Sequence, residues 1–147
     1  MHLSAIPFTD RELRNAWREL SLVATPPAAG ARQNPHRLLL FYAVECGLKA
    51  VWLKRQNRTL FEGADIRRMG HDLQQVLKDL NVGTTLSLPE SFQLPAAIKG
   101  TASVPRNSKF GDVHQAWRYG GKCQAPTDQD CEQQLLKVLN WIRGELK

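Results

Sequence analysis

One long apolar segment constrains the fold more than any other feature of this chain. Residues 35–55 read PHRLLLFYAVECGLKAVWLKR, and apolar side chains fall on almost every face of the helix that this stretch predicts. A helix that is apolar all round needs neighbours on several sides, so we expect it at the centre of a helical bundle. Asn34 is the expected N-cap and Pro35 the first helical residue, because the amide that proline lacks is unbonded there anyway. Gly47 weakens a helix, which indicates that another helix approaches closely at that point.

Four further helices are predicted along the chain. Thr9 and Glu12 have the spacing of a capping box that starts the first helix. A third helix is predicted over residues 65–80, where apolar side chains recur on one face. A short helix is expected at residues 113–121 (VHQAWRYGG), and Thr127 is expected to cap the last helix.

Residues 81–110 contain three prolines, so we expect a long loop there, with room for a short turn of helix near residues 96–99. No strand-like alternation of apolar and polar residues is evident in the chain. The predicted fold class is therefore all-α: a bundle of four long helices, with one short helix and the long loop at about 81–110. Residues 1–147 are expected to form a single domain, since this length fits one hydrophobic core.

Composition narrows the class of protein. Of the 147 residues, 42% are apolar and 23% are charged, which excludes a globally disordered chain. The longest apolar stretch, residues 38–53, is interrupted by Glu45 and Lys49, so we expect no membrane span. Three cysteines are too few for a disulfide framework, and the N-terminus lacks the pattern of a signal peptide. We therefore expect a soluble, cytoplasmic protein.

The charge of the chain is positive and unevenly distributed. Twenty Lys and Arg residues against fourteen Asp and Glu residues give a formal charge of +6. Six of the cations fall within twenty residues: Lys49, Lys54, Arg55, Arg58, Arg67 and Arg68. This excess permits binding to RNA or DNA, although a solvated helix end has the same pattern.

His114, Trp117 and Arg118 share one face of the predicted short helix, with Tyr119 beside them. In a functional interpretation Arg118 neutralises a phosphate, while His114, with an ordinary pKa of about 6.5, acts as general acid or base. This chemistry needs no metal if a 2′-hydroxyl attacks its own neighbouring phosphate. In a structural interpretation Trp117 and Tyr119 plug the end of the bundle, and Arg118 pairs with a core carboxylate. Spacing alone leaves both interpretations open.

Glu45 and Lys49 lie one helical turn apart in the otherwise apolar segment, with the acid first, which is the favourable order. A buried carboxylate must be paired, and Lys49, Arg118 or His71 can each supply its partner. The pair is either a structural ion pair or part of a binding or catalytic site.

His71, next to Asp72 in the third helix, is expected to be a helix-start residue whose imidazole is hydrogen-bonded to a neighbouring side chain. It can act as a base only if Arg67 or Arg68 bends toward it. Cys123 and Cys131 lack the spacing of a zinc site, and the glycines of the chain do not form a phosphate-binding loop. We therefore predict no metal and no cofactor.

Two short motifs resemble those of the HEPN superfamily of small helical bundles. They are the Glu-Cys-x-x-Lys-Ala run at Glu45–Ala50 and the Gly-His-Asp-Leu run at Gly70–Leu73, and together with the final amphipathic helix the resemblance covers about residues 35–146. The resemblance implies a module of bacterial toxin–antitoxin pairs, phage-defence systems and nucleotidyltransferase partners. Many members of the superfamily are metal-independent ribonucleases that dimerise through the bundle.

The resemblance also implies a catalytic motif, from which this chain departs. In the superfamily an Arg, usually followed by a polar residue, precedes a His by four to six residues near the start of the last helix. Arg106 and Asn107 match the beginning of that motif, but seven residues separate Arg106 from His114. Arg67 and Arg68 precede His71 by gaps of three and two residues, on a different helix. The expected catalytic motif is therefore absent or distorted.

Three hypotheses follow. The leading one is a non-catalytic HEPN-like bundle that binds nucleic acid or a protein partner, or forms a homodimer, in a bacterial defence or toxin–antitoxin-type assembly. The second is a metal-independent endoribonuclease that uses Arg106, His114 and Arg118. The third is a protein-only adaptor, which predicts an exposed apolar patch around Trp17 or Trp141. Residues expected to contribute to binding are Glu45, Lys49, Trp117, Tyr119, Asn107, His71, Arg67 and Arg68.

Overall fold

The computed structural model describes residues 6–26 and 31–147, most of which are helical, and the rest of the predicted domain lies outside these ranges. In chain order the elements are β1 (Phe8–Thr9), α1 (Asp10–Ala24), α2 (Asn34–Arg55), β2 (Leu60–Phe61), α3 (Gly63–Met69), α4 (Leu73–Leu80), β3 (Ser91–Lys99), β4 (Ala102–Lys109), a 3-10 turn (Phe110–Asp112), α5 (Val113–Arg118) and α6 (Asp128–Glu145). None of the helices in the described ranges is long and apolar enough to cross a membrane.

Helix α2 lies at the centre of the fold, as its apolar sequence predicts. It packs against α1, α4, α5 and α6. Its buried residues are Leu40, Phe41, Ala43, Val44, Glu45, Gly47, Leu48, Ala50, Val51 and Leu53. Full burial of a large apolar side chain contributes about 1.5–3 kcal/mol, so this helix supplies much of the core. It begins one residue earlier than predicted, with Gln33 at the N-cap and Pro35 in the second helical position.

Gly47 is the point at which two helices approach α2 most closely. A Cβ atom there would lie 2.8 Å from Ile142 Cγ2 and 2.9 Å from Trp17 Cδ1. The predicted close approach is confirmed, and it is made by both α1 and α6. Successive residues turn by about 100° around a helix, so Gly47 faces almost opposite to Glu45. Helices α1 and α6 therefore cover the side of α2 that faces away from Glu45.

The predicted starts of α1 and α6 are confirmed. The Thr9 hydroxyl accepts a hydrogen bond from the Glu12 amide at 3.1 Å, and the Glu12 carboxylate accepts one from the Thr9 amide at 2.9 Å. At α6 the Thr127 hydroxyl accepts a hydrogen bond from the Asp130 amide at 3.1 Å. Such caps bond backbone amides that a helix start otherwise leaves unpaired, and each contributes about 0.5–2 kcal/mol.

The predicted third helix, residues 65–80, is wrong in its continuity, because the chain divides it into α3 and α4. Gly70 ends α3 with a φ of +48°, which glycine adopts without the steric clash of a Cβ atom. Asp72 then caps α4, and its carboxylate accepts a hydrogen bond from the Gln75 amide at 3.2 Å. The division leaves His71 between two helices rather than within one.

Residues 81–110 do not form one long loop, and the all-α prediction is wrong for most of this stretch. Strands β3 and β4 form an antiparallel hairpin in which Ser91 pairs with Lys109 and Lys99 with Ala102. A second small antiparallel sheet joins β1 to β2. In the described part of the chain three helices, α1, α2 and α6, exceed ten residues, so the predicted bundle of four long helices is not confirmed.

The hairpin has no clear sequence signal because it is only two strands wide and mostly solvated. Strand β3 buries Phe92 alone, and β4 buries no side chain, so neither strand shows a sustained apolar alternation. Pro95 lies at an irregularity of the pairing between Leu94 and Ala97, and Pro105 lies within β4. Both strands of a two-stranded sheet are edge strands, where prolines are tolerated.

Replacing Gly47 with Val is expected to lower the free energy of unfolding by about 1–3 kcal/mol, because the new methyl groups collide with Ile142 and Trp17. Urea denaturation followed by circular dichroism measures the change. Gly144→Val is the matched control, since a Cβ atom at this glycine of α6 meets nothing within 4 Å. Equal stability of the two variants would contradict the close packing at Gly47.

Candidate functional site

Six side chains from three parts of the fold meet beside α2. They are Tyr42, Glu45, Lys49, His71, His114 and Arg118, and we call them the histidine cluster. Tyr42, Glu45 and Lys49 lie on one face of α2, because they follow the i, i+3, i+7 spacing of a helix. His71 comes from the break between α3 and α4, and the last two come from α5. The cluster therefore forms where α2, this break and α5 come together.

Glu45 is the buried centre of the histidine cluster. Its side chain is 9% exposed, and its Oε2 accepts a hydrogen bond from Lys49 Nζ at 2.7 Å. The same oxygen lies 2.9 Å from Nδ1 of His71. These two contacts supply the pairing that a buried carboxylate requires. Of the three partners open to Glu45 in the sequence, the structure uses Lys49 and His71 together and not Arg118.

His71 reaches Glu45 because the chain turns at Gly70 rather than continuing α3. Its side chain is 54% exposed, so part of the ring is open to solvent while Nδ1 contacts Glu45. The chain before α5 passes directly over this turn: a Cβ atom at Gly111 would lie 2.9 Å from the His71 carbonyl oxygen. Only a glycine fits such an approach of two backbones, and this contact brings α5 against the α3–α4 break.

His114 lies beneath His71 and is 4% exposed. Its Nδ1 donates a hydrogen bond to the Gly111 carbonyl oxygen at 2.8 Å, so Nε2 is the acceptor of the neutral ring. The ring centroids of His114 and His71 are 4.8 Å apart, and the Phe41 ring lies 5.1 Å from His114. His114 is thus both a packed residue of the core and the direct neighbour of an exposed histidine.

The two histidines are shifted in opposite directions from an ordinary pKa of about 6.5. The hydrogen bond to Glu45 raises the pKa of His71 despite its partial burial. Burial lowers the pKa of His114, and the charge of His71 adds to this effect. Burial by itself favours the neutral form of Glu45, but His71 and Lys49 outweigh burial and lower its pKa. The directions of these shifts favour a charged Glu45, a protonated His71 and a neutral His114.

Arg118 adds an exposed cation at the edge of the histidine cluster. Its Nη2 donates a hydrogen bond to the Tyr42 hydroxyl oxygen. The Tyr42 hydroxyl, and after it that of Tyr119, raises the pKa of Arg118. The positive charge of Arg118 makes a small contribution at both histidines: it opposes the rise in the pKa of His71 and adds to the fall in the pKa of His114. Arg118 is therefore close enough to interact electrostatically with both rings. In the described ranges no carboxylate forms an ion pair with Arg118. The alternative in which Arg118 pairs with a core carboxylate is therefore wrong.

The structure does not bring Arg106 to the other two residues of the hypothesised catalytic trio. Arg106 lies on β4, and its Nε donates a hydrogen bond to the Pro95 carbonyl oxygen across the hairpin at 2.9 Å. Arg106 and Asn107 line a separate cleft between the hairpin and α5, and Tyr119, which is 79% exposed, lies at the same cleft. His114, by contrast, faces the α3–α4 break.

The remaining predicted residues divide between core and surface. Trp117 is buried, and its Nε1 donates a hydrogen bond to Asp128 Oδ1 at 2.8 Å, so it packs the end of α5 against the start of α6. Arg68 forms two hydrogen bonds with the Asp79 carboxylate, at 2.7 and 2.8 Å, and does not bend toward His71. Arg67 is exposed and lines a cleft beside His71.

The two tryptophans of the adaptor hypothesis do not form an exposed patch. Trp17 and Trp141 are both partly buried and pack against the core. The Arg55 guanidinium lies over the Trp141 ring, 5.4 Å from its centroid. The protein-only adaptor therefore stays a prediction from the sequence.

Tyr42 is the member of the histidine cluster that the sequence analysis missed. Its position three residues before Glu45 is the signal that identifies it, because Tyr42 shares the helix face of the two charged residues. The contact between His71 and His114 had no comparable signal, since 42 residues separate them in the chain.

No family model, curated protein or solved structure matches the chain. The HEPN resemblance accordingly stays a prediction. Residues 6–26 and 31–147 contain no group of three or more His, Cys, Asp or Glu side chains placed to hold a metal ion. The fold and site define a mostly helical domain with a histidine pair on a buried carboxylate and an arginine at its edge.

Replacing His71 with Gln is expected to lower stability most below pH 6.5. The pKa of His71 is raised in the folded chain, so its proton stabilises the fold at low pH, and this contribution is lost as the pH rises through the raised pKa. Urea denaturation of both proteins from pH 5.5 to 9 measures the difference.

The variant itself is expected to lose stability as the pH falls below about 6.5, because the lowered pKa of His114 resists protonation in the folded chain. A difference between the two proteins that is the same at every pH would contradict the His71–Glu45 contact.

Proposed function

We propose that this chain binds single-stranded RNA at the histidine cluster, as a HEPN-like, non-catalytic subunit of a bacterial defence or toxin–antitoxin-type assembly. The phosphate backbone is the part of the RNA that His71 and Arg118 contact. RNA is preferred over DNA because the resemblance of Glu45–Ala50 and Gly70–Leu73 is to a superfamily rich in ribonucleases. The protein partner or second copy of such an assembly stays a prediction from the sequence.

The observation that supports this proposal best is the excess of positive charge on the solvent side of the cluster. Glu45 supplies one negative charge, whereas Lys49, protonated His71 and Arg118 supply three positive charges, so these four side chains together carry a net charge of +2. The Lys49 side chain is largely buried, and its positive charge neutralises the charge of the buried Glu45 carboxylate. The surplus therefore falls on the two outer side chains, where donors of this kind bind phosphate oxygens.

The burial of His114 favours binding over cleavage. A base that accepts a proton from RNA must come within hydrogen-bonding distance of the 2′-hydroxyl. His114 is 4% exposed, and its ring packs against those of Phe41, Tyr42 and His71, so a nucleotide reaches it only after a neighbouring side chain moves. The side chains of His71 and Arg118, in contrast, are both accessible to a phosphate from solvent.

Arg118→Ala is expected to weaken the binding of a short single-stranded RNA about tenfold at low salt, the value of one charge-assisted hydrogen bond. The slope of log affinity against log salt should also become less steep by about 0.7, the loss of one phosphate contact on a single strand. Fluorescence anisotropy at several salt concentrations measures both.

Arg143→Ala is the matched control, since Arg143 is an exposed arginine of α6, which covers the opposite side of α2. Equal loss of affinity in the two variants would place RNA binding elsewhere on the basic surface. Equal affinity for DNA of the same sequence would remove the preference for RNA but leave the phosphate site in place.

Metal-independent cleavage of RNA is the second candidate function, and the opposite pKa shifts of His71 and His114 favour it. In this reaction a neighbouring side chain first moves to expose His114. Neutral His114 then accepts the proton of the 2′-hydroxyl, whose oxygen forms a bond to the neighbouring phosphorus. The bond from phosphorus to the 5′-oxygen breaks, and protonated His71 gives its proton to the leaving oxygen. The products are a 2′,3′-cyclic phosphate and a 5′-hydroxyl, and solvent restores both histidines.

If this second function holds, the chain cuts RNA in the presence of a chelator and leaves 2′,3′-cyclic phosphate ends. A single 2′-deoxy nucleotide at the cut position should block the reaction, because the attacking hydroxyl is missing. His71→Gln should abolish cleavage while the variant stays folded, since His71 is half-exposed. Gel electrophoresis of labelled RNA detects all three results, and intact RNA with the native chain would restrict the site to binding.

A further inference from the structure

The cleft between the β3–β4 hairpin and α5 is a second recognition element that the histidine cluster does not include. Its volume is about 280 Å³, slightly below the range of about 300–1,000 Å³ for pockets that hold drug-sized ligands. One planar ring system fits a space of this size better than a folded oligonucleotide does. The cleft is partly open to solvent, and its lining residue Tyr119 is largely exposed.

The lining of the cleft fits an uncharged aromatic ring. Phe92 is buried and Leu94 half-buried, and together they provide an apolar wall from β3. Arg106 and Asp112 contribute one charge of each sign, so the cleft has no excess positive charge with which to attract a phosphate. An aromatic heterocycle gains from such a wall, whereas an anion does not.

Two side-chain amides at the cleft have hydrogen-bonding capacity to spare. Asn107 on β4 and Gln115 on α5 both line the cleft and are exposed. Within residues 6–26 and 31–147 neither side chain makes a hydrogen bond to the protein, whereas Ser108 nearby donates one to Asp112 at 2.6 Å. Side-chain amides offer donor and acceptor together, the combination that reads the hydrogen-bonding edge of a base.

The cleft adjoins the histidine cluster through two consecutive residues. Arg118 belongs to the cluster and Tyr119 lines the cleft, and the Cα atoms of consecutive residues are about 3.8 Å apart. The Tyr119 hydroxyl is close enough to raise the pKa of Arg118. A group bound at Arg118 and a group bound beside Tyr119 are therefore near neighbours, as the phosphate and base of one nucleotide are.

We propose that this cleft binds one nucleobase of a single-stranded RNA, with Tyr119 stacking on the base and Asn107 and Gln115 bonding its edge. This inference rests on the proposed function, because the phosphate of the same nucleotide is then held at Arg118. Recognition of an unstacked base by an aromatic side chain and by polar groups at its edge is how proteins read single-stranded RNA. The hairpin, which the sequence analysis took for a loop, forms one wall of the base site.

The test uses the full chain, labelled with ¹⁵N, and two kinds of probe. The probes are the four common ribonucleosides, which lack phosphate, and their 5′-monophosphates. Nuclear magnetic resonance titration of the nucleosides is expected to shift the side-chain amide signals of Asn107 and Gln115. Tyr119→Ala should weaken binding of the monophosphates about tenfold, while Tyr119→Phe, which keeps the ring, should stay within about twofold of the native chain.

Asn107→Ala is expected to reduce the preference among the four bases more than the affinity for them, since an amide reads the edge of the ring. Both substituted positions are exposed, so the variants should fold, and circular dichroism confirms that they do. Absence of nucleoside-induced shifts, or unchanged affinity in Tyr119→Ala, overturns the base site.

Failure of the base site and failure of the proposed function give different results. If Arg118→Ala weakens RNA binding but nucleosides leave the cleft signals unchanged, the phosphate site stands and the base site is wrong. Suppose instead that nucleosides bind and that Tyr119→Ala weakens their binding, while Arg118→Ala leaves the affinity for RNA and for the monophosphates unchanged. The base site then stands. In that second case RNA binding at the histidine cluster is wrong.

Discussion

Burial of the Glu45 carboxylate in α2 is the interaction on which the rest of the site depends. A carboxylate removed from water costs several kcal/mol unless charged or hydrogen-bonding partners replace the water. Lys49 provides one partner from the same helix, 2.7 Å away. The second, His71, comes from another part of the chain, so its contact with Glu45 fixes where the α3–α4 break lies against α2. Gly111 allows the chain before α5 to pass close to the backbone of that break. As a result, the His114 ring packs against the His71 ring.

This arrangement links the stability of the fold to the chemistry of its surface. The same carboxylate that must be paired for the core to form also raises the pKa of His71, and burial together with the charge of His71 lowers the pKa of His114. Lys49 neutralises the negative charge of the buried Glu45 carboxylate. The positive charges of His71 and Arg118 are therefore left in excess on the solvent side of the cluster. The proposed RNA ligand matches such an edge, since positive charge attracts a polyanion, and the neighbouring cleft at Tyr119 is the proposed place for an uncharged ring.

Much of the helical framework was predictable from local signals, whereas the hairpin and the helix break were not. The starts of α1 and α6 are predictable from Thr9, Glu12 and Thr127, because helix capping depends on residues only a few positions apart. The division of α3 from α4 depends on Gly70. It was not predicted because apolar residues continue at helical spacing from Ile66 to Leu80, as they would in one unbroken helix. The hairpin is hidden for a different reason, since a solvated two-stranded sheet needs no apolar alternation and tolerates prolines.

The sequence by itself determined that α2 is central, because a helix with apolar residues on nearly every face has no stable place at a surface. It also determined that Glu45 needs a partner, because the cost of an unpaired buried charge does not depend on the fold. Only the tertiary structure decided which partner Glu45 receives, that His71 and His114 touch, and that Arg106 does not join them. Each of these depends on where α5 and the α3–α4 break pack against α2, and contacts between residues tens of positions apart are set by packing rather than by local spacing.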